Sequence, residues 1–247
     1  MQMSLIDGYF DMIQAKLAEL REAEAENIAR VANACAEAML RGGVVHIYDT
    51  GHIINSELIM RAGGLAGFTP FNFGLNVNNP NSYREREAKA TPDTEVDIIA
   101  LALKQSNIRA HDVLIIGSVS GKSVRPVELA LQARSMGVTV VAMTSREYSD
   151  RLKSDHPSGK RLFEAADMVI DNHAPYGDAM LDVKGIDRKL CPASGICAAA
   201  AMWAVMAGCV EAIIAAGKTP SVYSSVNLPD GPEQVKRIQK EYKEKGY

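Results

Sequence analysis

The sequence predicts an α/β fold: a parallel sheet covered by helices on both faces, three layers in all, with a helical extension ahead of it. Three observations point there. Short aliphatic runs recur along the chain at Val44–Tyr48, Val113–Ile116, Val138–Thr144 and Met168–Asp171. Segments of helical pattern separate them, and strands alternating with helices at this spacing make parallel sheets. Gly- and Ser-rich turns follow the first two runs directly, at Asp49-Thr50-Gly51-His52 and at Gly117 to Ser123.

Residues 4–40 read as one helix, in which Leu5, Tyr9, Ile13, Leu17 and Leu20 recur at helical spacing and Ile28, Val31, Ala32, Cys35 and Met39 continue the apolar face. That stripe must be buried, against the chain's own domain or a partner subunit. Gly42-Gly43 ends the helix, so residues 1–41 form an extension and residues 42–247 the main domain. Val44 to Tyr48 is a buried strand, Asn55 to Ala62 a helix, and Phe68 to Phe73 a candidate second strand. Residues 74–95, rich in Asn, Pro, Arg and Glu, read as a long surface loop of the kind that carries function. A helix over Thr94–Ser106 precedes the strand Val113–Ile116; another runs to Met136, where Gly137 caps it. The strand Val138–Thr144, a helix around Ser158–Ala166 and the strand Met168–Asp171 follow. A long helix from about Gly195 to Ala216 and a charged helix over 232–245 complete the chain.

The composition narrows the function classes. The 247 residues are 47% hydrophobic and 23% charged, with a net charge of −3. Lys and Arg are scattered, so nothing argues for nucleic acid or an anionic membrane as partner. The longest apolar stretch, Ile196 to Val210, reads as too short to span a bilayer, and the first residues lack a secretory signal, so the cytoplasm is the expected location. The cysteines Cys35, Cys191, Cys197 and Cys209 form no CxxC pair, and Cys197 and Cys209, in an apolar Ala-rich stretch, read as reduced and buried. The histidines and carboxylates show no metal-ligand spacing, and no metal or other cofactor is expected.

The chemistry is expected where strands end and helices begin, because ligands of parallel sheets sit there. Gly117-Ser118-Val119-Ser120-Gly121-Lys122-Ser123 places three hydroxyls and two glycines at a helix N-terminus. Free N–H groups and the positive end of the helix dipole favour an anion; serines add donors, and glycine lets the backbone approach. An ordinary capping turn is the competing reading. Gly117 and Gly121 are one residue too close for a GxxxxGK loop, which argues against nucleotide hydrolysis. In the first turn Gly51 permits a tight bend, Thr50 offers a hydroxyl, and His52 would titrate near neutrality. Glu57, five residues on, reads either as a proton-transferring carboxylate or as a charge complementing the helix dipole.

Taken together these segments resemble the sugar-isomerase (SIS) domain family, whose signature S-x-S-G-x-T/S appears as Ser118-Val119-Ser120-Gly121-Lys122-Ser123. Arg125-Pro126-Val127-Glu128-Leu129-Ala130 and Met136-Gly137-Val138 look like that family too. The chain is similar in more detail to its UPF0309 group, through Gly51-His52, Arg61-Ala62-Gly63-Gly64-Leu65, Thr144-Ser145, His156-Pro157-Ser158-Gly159-Lys160 and Asp171-Asn172. The resemblance implies a flavodoxin-like sheet of five parallel strands, a small phosphorylated sugar held by Thr50, Gly51, Ser118, Ser120, Gly121, Lys122 and Ser123, and a homodimer or homotetramer. It also implies Glu57 as the proton-moving base, with His52 assisting ring opening. Two departures stand out: Asp49 and Ile53 replace the Gly and Ser of the usual first turn, and Val119 replaces a frequent Asn.

His173 and Asp178 follow the strand that ends at Asp171 and are expected near the site. Ser194 heads the last long helix, as cap or as ligand. His46, inside a strand, reads as packed; His111 and His156 read as solvated. The expected activity is aldose–ketose isomerisation of a sugar phosphate. A phosphosugar lyase or etherase and a non-catalytic sugar-phosphate sensor are the alternatives.

Overall fold

The computed structural model describes residues 4–51, 55–76 and 92–247. The chain begins with helix α1 (Leu5–Leu40), strand β1 (Val45–Asp49), the short helix α2 (Asn55–Leu58) and strand β2 (Phe68–Pro70). Helix α3 (Pro92–Gln105), strand β3 (Val113–Gly117), helix α4 (Val124–Ser135) and strand β4 (Thr139–Thr144) follow. Next come the one-turn helices α5 (Arg146–Ser149) and α6 (Leu162–Ala165) and strand β5 (Met168–Asp171). Two short strands, β6 (Ala179–Leu181) and β7 (Leu190–Pro192), precede the long helix α7 (Ser194–Ala215) and the terminal helix α8 (Gly231–Lys245).

The five strands β1–β5 form one parallel sheet in the order β2-β1-β3-β4-β5. That is the flavodoxin-like order, in which the chain reverses its direction of travel across the sheet between β1 and β3. The sequence of β3 shows why the layers form. Val113 and Ile115 join one apolar cluster with α1 and α7, while Leu114 and Ile116 join a second with α3, α4 and α6. In β4, Val141 and Met143 face the first cluster and Val140 and Ala142 the second. A strand buried on both faces must be apolar at every position, which is why these runs do not alternate with polar residues.

The apolar stripe of α1 finds its partner within the chain. Val31, Ala32, Cys35 and Met39 are buried in the first cluster beside Cys197, Ala201, Met202, Val205 and Cys209 of α7. The two helices approach closely at Gly208, where an added Cβ would lie 2.9 Å from the Cβ of Ala32. With 22 residues, α7 is long and apolar enough to cross a membrane, which corrects the shorter span read from the sequence. Its buried face instead packs on α1. The outer end of α1 stays open: Leu5, Ile6 and Phe10 are 50%, 69% and 54% exposed.

Several local expectations are corrected. The helix after the first turn stops at Leu58 rather than Ala62, because Met60 takes a left-handed φ of 55°. The second strand is only Phe68–Pro70. The helix expected over Ser158–Ala166 is the single turn Leu162–Ala165. The antiparallel pair β6–β7 was not anticipated. Most of the polar segment 74–95 lies outside the described residues.

At the N-terminal ends of β1 and β3, buried Asp112 accepts hydrogen bonds from the Val44 and Arg109 N–H groups and meets His46 Nε2 at 3.2 Å. The other ring nitrogen of His46 faces Thr69 Oγ1 at 3.2 Å. A carboxylate only accepts, so His46 carries its proton on Nε2. Burial lowers its pKa against the pull of Asp112. His46 is thus a packed and bonded residue, as expected.

Candidate functional site

The C-terminal ends of β1 and β3 lie side by side, with Asp49 paired to Gly117. The first turn is fastened there, since both the Thr50 N–H and its Oγ1 donate to the Gly117 carbonyl at 3.1 Å. Gly51, at φ 107°, lets its N–H turn back onto Asp49 Oδ1 at 3.0 Å. The second turn is fastened to β4. The Ser118 N–H donates to the Met143 carbonyl at 3.0 Å, and the Val119 carbonyl accepts from Ser145 N–H and Thr144 Oγ1 at 3.1 and 3.0 Å. At Gly121 the backbone is left-handed, φ 58°, and a Cβ would sit 3.2 Å from each of Leu162 Cβ, Ser149 Oγ and Thr144 Oγ1. Only glycine fits both the conformation and the space.

Between the two turns opens a cavity of about 390 Å³, lined by Thr50, Ser118, Val119, Ser120, Ser123, Tyr148 and Asp178. Ser123 is the N-cap residue of α4, yet its side chain makes no capping hydrogen bond. Among the described residues, no partner occupies the hydroxyls of Ser118, Ser120 or Ser123. Three seryl donors and the first turn of a 12-residue helix therefore converge on one space. Helix N–H groups left without a cap, together with unpaired hydroxyls, favour an anion.

The other wall is less permissive. Asp178, at φ 67°, accepts from the Ala193 and Ser194 N–H groups through Oδ1 at 3.2 and 2.9 Å, and from Ser194 Oγ through Oδ2 at 2.7 Å. It thereby caps α7 from outside the helix, so Ser194 spends its hydroxyl on Asp178. Tyr148 stands beside Tyr176 with ring centroids 5.0 Å apart. Nothing in the sequence marked Tyr148 as a cavity residue.

The remaining sequence candidates lie elsewhere. Lys122 pairs with Asp155 at 2.9 Å, and it is not in the lining. Gly121 supports the turn from behind. Glu57 is half exposed and pairs with Arg61 at 3.2 Å; it too is absent from the lining. His52 and Ile53 lie outside the described residues. His173 leans on α1, with Nδ1 3.3 Å from Glu19 and Nε2 3.4 Å from Glu24. The Glu24 carboxylate raises the His173 pKa against the effect of burial. For Glu24 itself burial pushes upward, but His173, Asn27 and the Asp171 N–H outweigh it and the net shift is down. His156, expected in solvent, is buried with Nε2 2.7 Å from Glu128.

Residues 8–145 match the model of the SIS domain. A UPF0309 protein of Geobacillus thermodenitrificans is 32% identical over 243 residues, covering 98% of this chain and 96% of its own. A UPF0309 protein of Streptomyces griseus is 32% identical over 248 residues, covering 98% and 96%. Among solved structures, a phosphoheptose isomerase from Francisella tularensis is similar with a TM-score of 0.46 at 16% identity, over 84% of this chain and 95% of its own. A similarity of that degree says nothing of activity.

Proposed function

Since the chain belongs to the SIS domain family, and within it to the UPF0309 group, we propose that the cavity between β1 and β3 binds the phosphate end of a phosphosugar and that the protein isomerises this sugar between aldose and ketose. The observation that carries the reading is Ser123: an N-cap serine that leaves its own helix uncapped and faces an open cavity with Ser118 and Ser120. A phosphate there receives hydroxyl and amide donors together, and binding at that end positions the sugar carbons for proton transfer. Thr50 lines the β1 side, its hydroxyl proton already given to the Gly117 carbonyl. Glu57, on the helix that follows this turn, is assigned as the base that takes the proton beside the carbonyl and returns it to the neighbouring carbon, with His52 polarising the oxygen.

The test is a panel of sugar phosphates. Ligand present at about 100 times its Kd stabilises a fold by about 2.7 kcal/mol, an easily measured rise in Tm. A stabilising ligand should also be turned over, and Glu57→Gln should abolish turnover while preserving the Tm rise. Full turnover in Glu57→Gln removes the base assignment. Failure of every sugar phosphate to stabilise the protein removes the site.

One observation favours a second reading, binding without turnover. Among the described residues the carboxylate that lines the cavity is Asp178, and both of its oxygens are engaged in capping α7, while Glu57 is held by Arg61. Stabilisation by a ligand that is never converted would select this reading. In either case the open apolar end of α1, with Leu5, Ile6 and Phe10, is assigned to contact with a second copy of the chain. Light scattering of the wild type against an Ile6→Lys, Phe10→Lys variant tests that assignment.

A further inference from the structure

We propose that loop 154–160 is a strap that holds the phosphate turn in its binding shape, with His156 as its positioning residue and Glu128 of α4 as its anchor. The proposal rests on the phosphosugar reading of the cavity and deepens it. It also gives a role to His156-Pro157-Ser158-Gly159-Lys160, a motif the cavity itself does not use.

The loop is closed by its own side chains. Ser154 Oγ donates to the Lys160 carbonyl at 2.6 Å and accepts the His156 N–H at 3.0 Å. His156 Nδ1 accepts the Ser158 N–H at 3.1 Å, and Ser158 Oγ accepts the Lys160 N–H at 3.2 Å. Every second side chain thus satisfies the backbone two residues on, a frame that needs no helix or strand. Because Nδ1 accepts, the imidazole proton sits on Nε2 and is donated to Glu128 Oε2 at 2.7 Å. Glu128 is held in turn by Gln132 Nε2 at 2.7 Å, and the same nitrogen reaches the Val96 carbonyl of α3 at 3.2 Å. The His156 and Glu128 side chains are only 6% and 13% exposed. A paired buried group of this kind fixes position, since either partner left alone would be unsatisfied.

Outward, the same segment grips the turn. The Asp155 N–H donates to the Lys122 carbonyl at 2.9 Å, and its carboxylate pairs with Lys122 Nζ at 2.9 Å. The Leu162 N–H donates to the Gly121 carbonyl at 2.8 Å. Gly121 and Lys122 are the two residues between Ser120 and Ser123. The Lys122 carbonyl is therefore held from the strap and the Gly121 carbonyl from α6 just beyond it, and the strap is pinned to the helix whose N-terminus opens on the cavity. Ser158, His156 and Glu128 also spell a serine–histidine–carboxylate series. Ser158 Oγ donates to His156 Nδ1 at 2.7 Å and accepts the Lys160 N–H at 3.2 Å, so here the series closes the loop on itself.

The experiment compares His156→Ala, Glu128→Ala and Glu128→Gln in the full chain. Gln keeps an acceptor for His156 Nε2 but loses the one for Gln132, so Glu128→Gln should be impaired less than Glu128→Ala. His156→Ala and Glu128→Ala should raise amide exchange about tenfold in peptides covering 118–124 and 154–162, with β1 and α7 unchanged. Their Kd for glucose 6-phosphate or inorganic phosphate, read by titration calorimetry, should weaken about tenfold. A wild type that binds neither probe refutes the phosphosugar reading, while the exchange measurement still decides the strap. Unchanged exchange in the turn, exchange raised equally everywhere, loss of fold in both Ala variants, or a Glu128→Gln protein as impaired as Glu128→Ala would each overturn the proposal.

Discussion

Replacing Gly121 by Ala tests the turn at its tightest point. An L-residue held left-handed loses about 1–2 kcal/mol, partly offset by about 0.4–1 kcal/mol because alanine restricts the unfolded chain. The new methyl would also meet Leu162 Cβ, Ser149 Oγ and Thr144 Oγ1, each at 3.2 Å. Leu162 Cβ is fixed by the backbone of α6, and Thr144 is bound to the Val119 carbonyl, so neither yields freely. Overpacking of this kind costs about 1–3 kcal/mol, giving a net loss of about 2–4 kcal/mol. Gly217 supplies the control. It is also left-handed, at φ 72°, but a Cβ there meets nothing within 4 Å. Its alanine variant should lose only about 1 kcal/mol. Urea unfolding followed by circular dichroism measures both. If Gly121→Ala is no worse than Gly217→Ala, the close packing behind the turn is not real. If it is destabilised yet keeps full stabilisation by a sugar phosphate, the turn does not set the position of Ser120 and Ser123.

Three further outcomes are expected. Ser123→Ala should leave the unfolding free energy within about 0.5 kcal/mol of wild type, whereas removing a working serine cap costs about 1 kcal/mol, and it should diminish the Tm rise given by a sugar phosphate. Asp178→Asn should cost about 1–2 kcal/mol in the same unfolding assay, since a neutral amide replaces a charge that caps α7 through three hydrogen bonds. The raised pKa of His173 makes the protonated ring a stabilising partner of Glu24 and Glu19. That contribution is fully present below the unfolded pKa and is lost as pH rises through the higher folded one. Unfolding midpoints measured from pH 6 upward should therefore fall more in wild type than in His173→Gln, and parallel curves would refute the pairing.

The sheet was legible because its signal is local. A strand buried on both faces needs an unbroken aliphatic run, and Val113–Ile116 and Val138–Thr144 supply it within a few neighbouring residues. The long helices were legible for the same reason, since their periodicity repeats over many turns. What failed was short or non-local. Strands β6 and β7 have three residues each and pair across a gap, with Leu190 and Leu181 opposed only once the chain has folded. The end of α2 is set by one left-handed residue, Met60, a conformation its side chain gives no reason to expect. His156 looked solvated because its neighbours are polar, but its partner Glu128 lies 28 residues upstream on another element.

The site divides along the same line. Ser118, Ser120 and Ser123 occupy adjacent positions on one turn, so chain proximity alone places them together, and the structure adds the space beside them. Thr50 joins them because β1 and β3 are neighbours in the sheet, a consequence of the strand order. Asp178 reaches the same cavity from after β5, where its place past a strand end made it expected, whereas Tyr148 comes from after β4 and no spacing in the sequence could measure its approach. Asp178 is the informative member of this set. A carboxylate beside an anion site would oppose binding if its charge were free. Here that charge is drawn towards the N-terminus of α7, where two N–H groups and one hydroxyl take it up. Two helix N-termini thus have opposite assignments. α7 has its anion built in as Asp178, and α4, whose serine cap is left unbonded, is the one open to a ligand's anion.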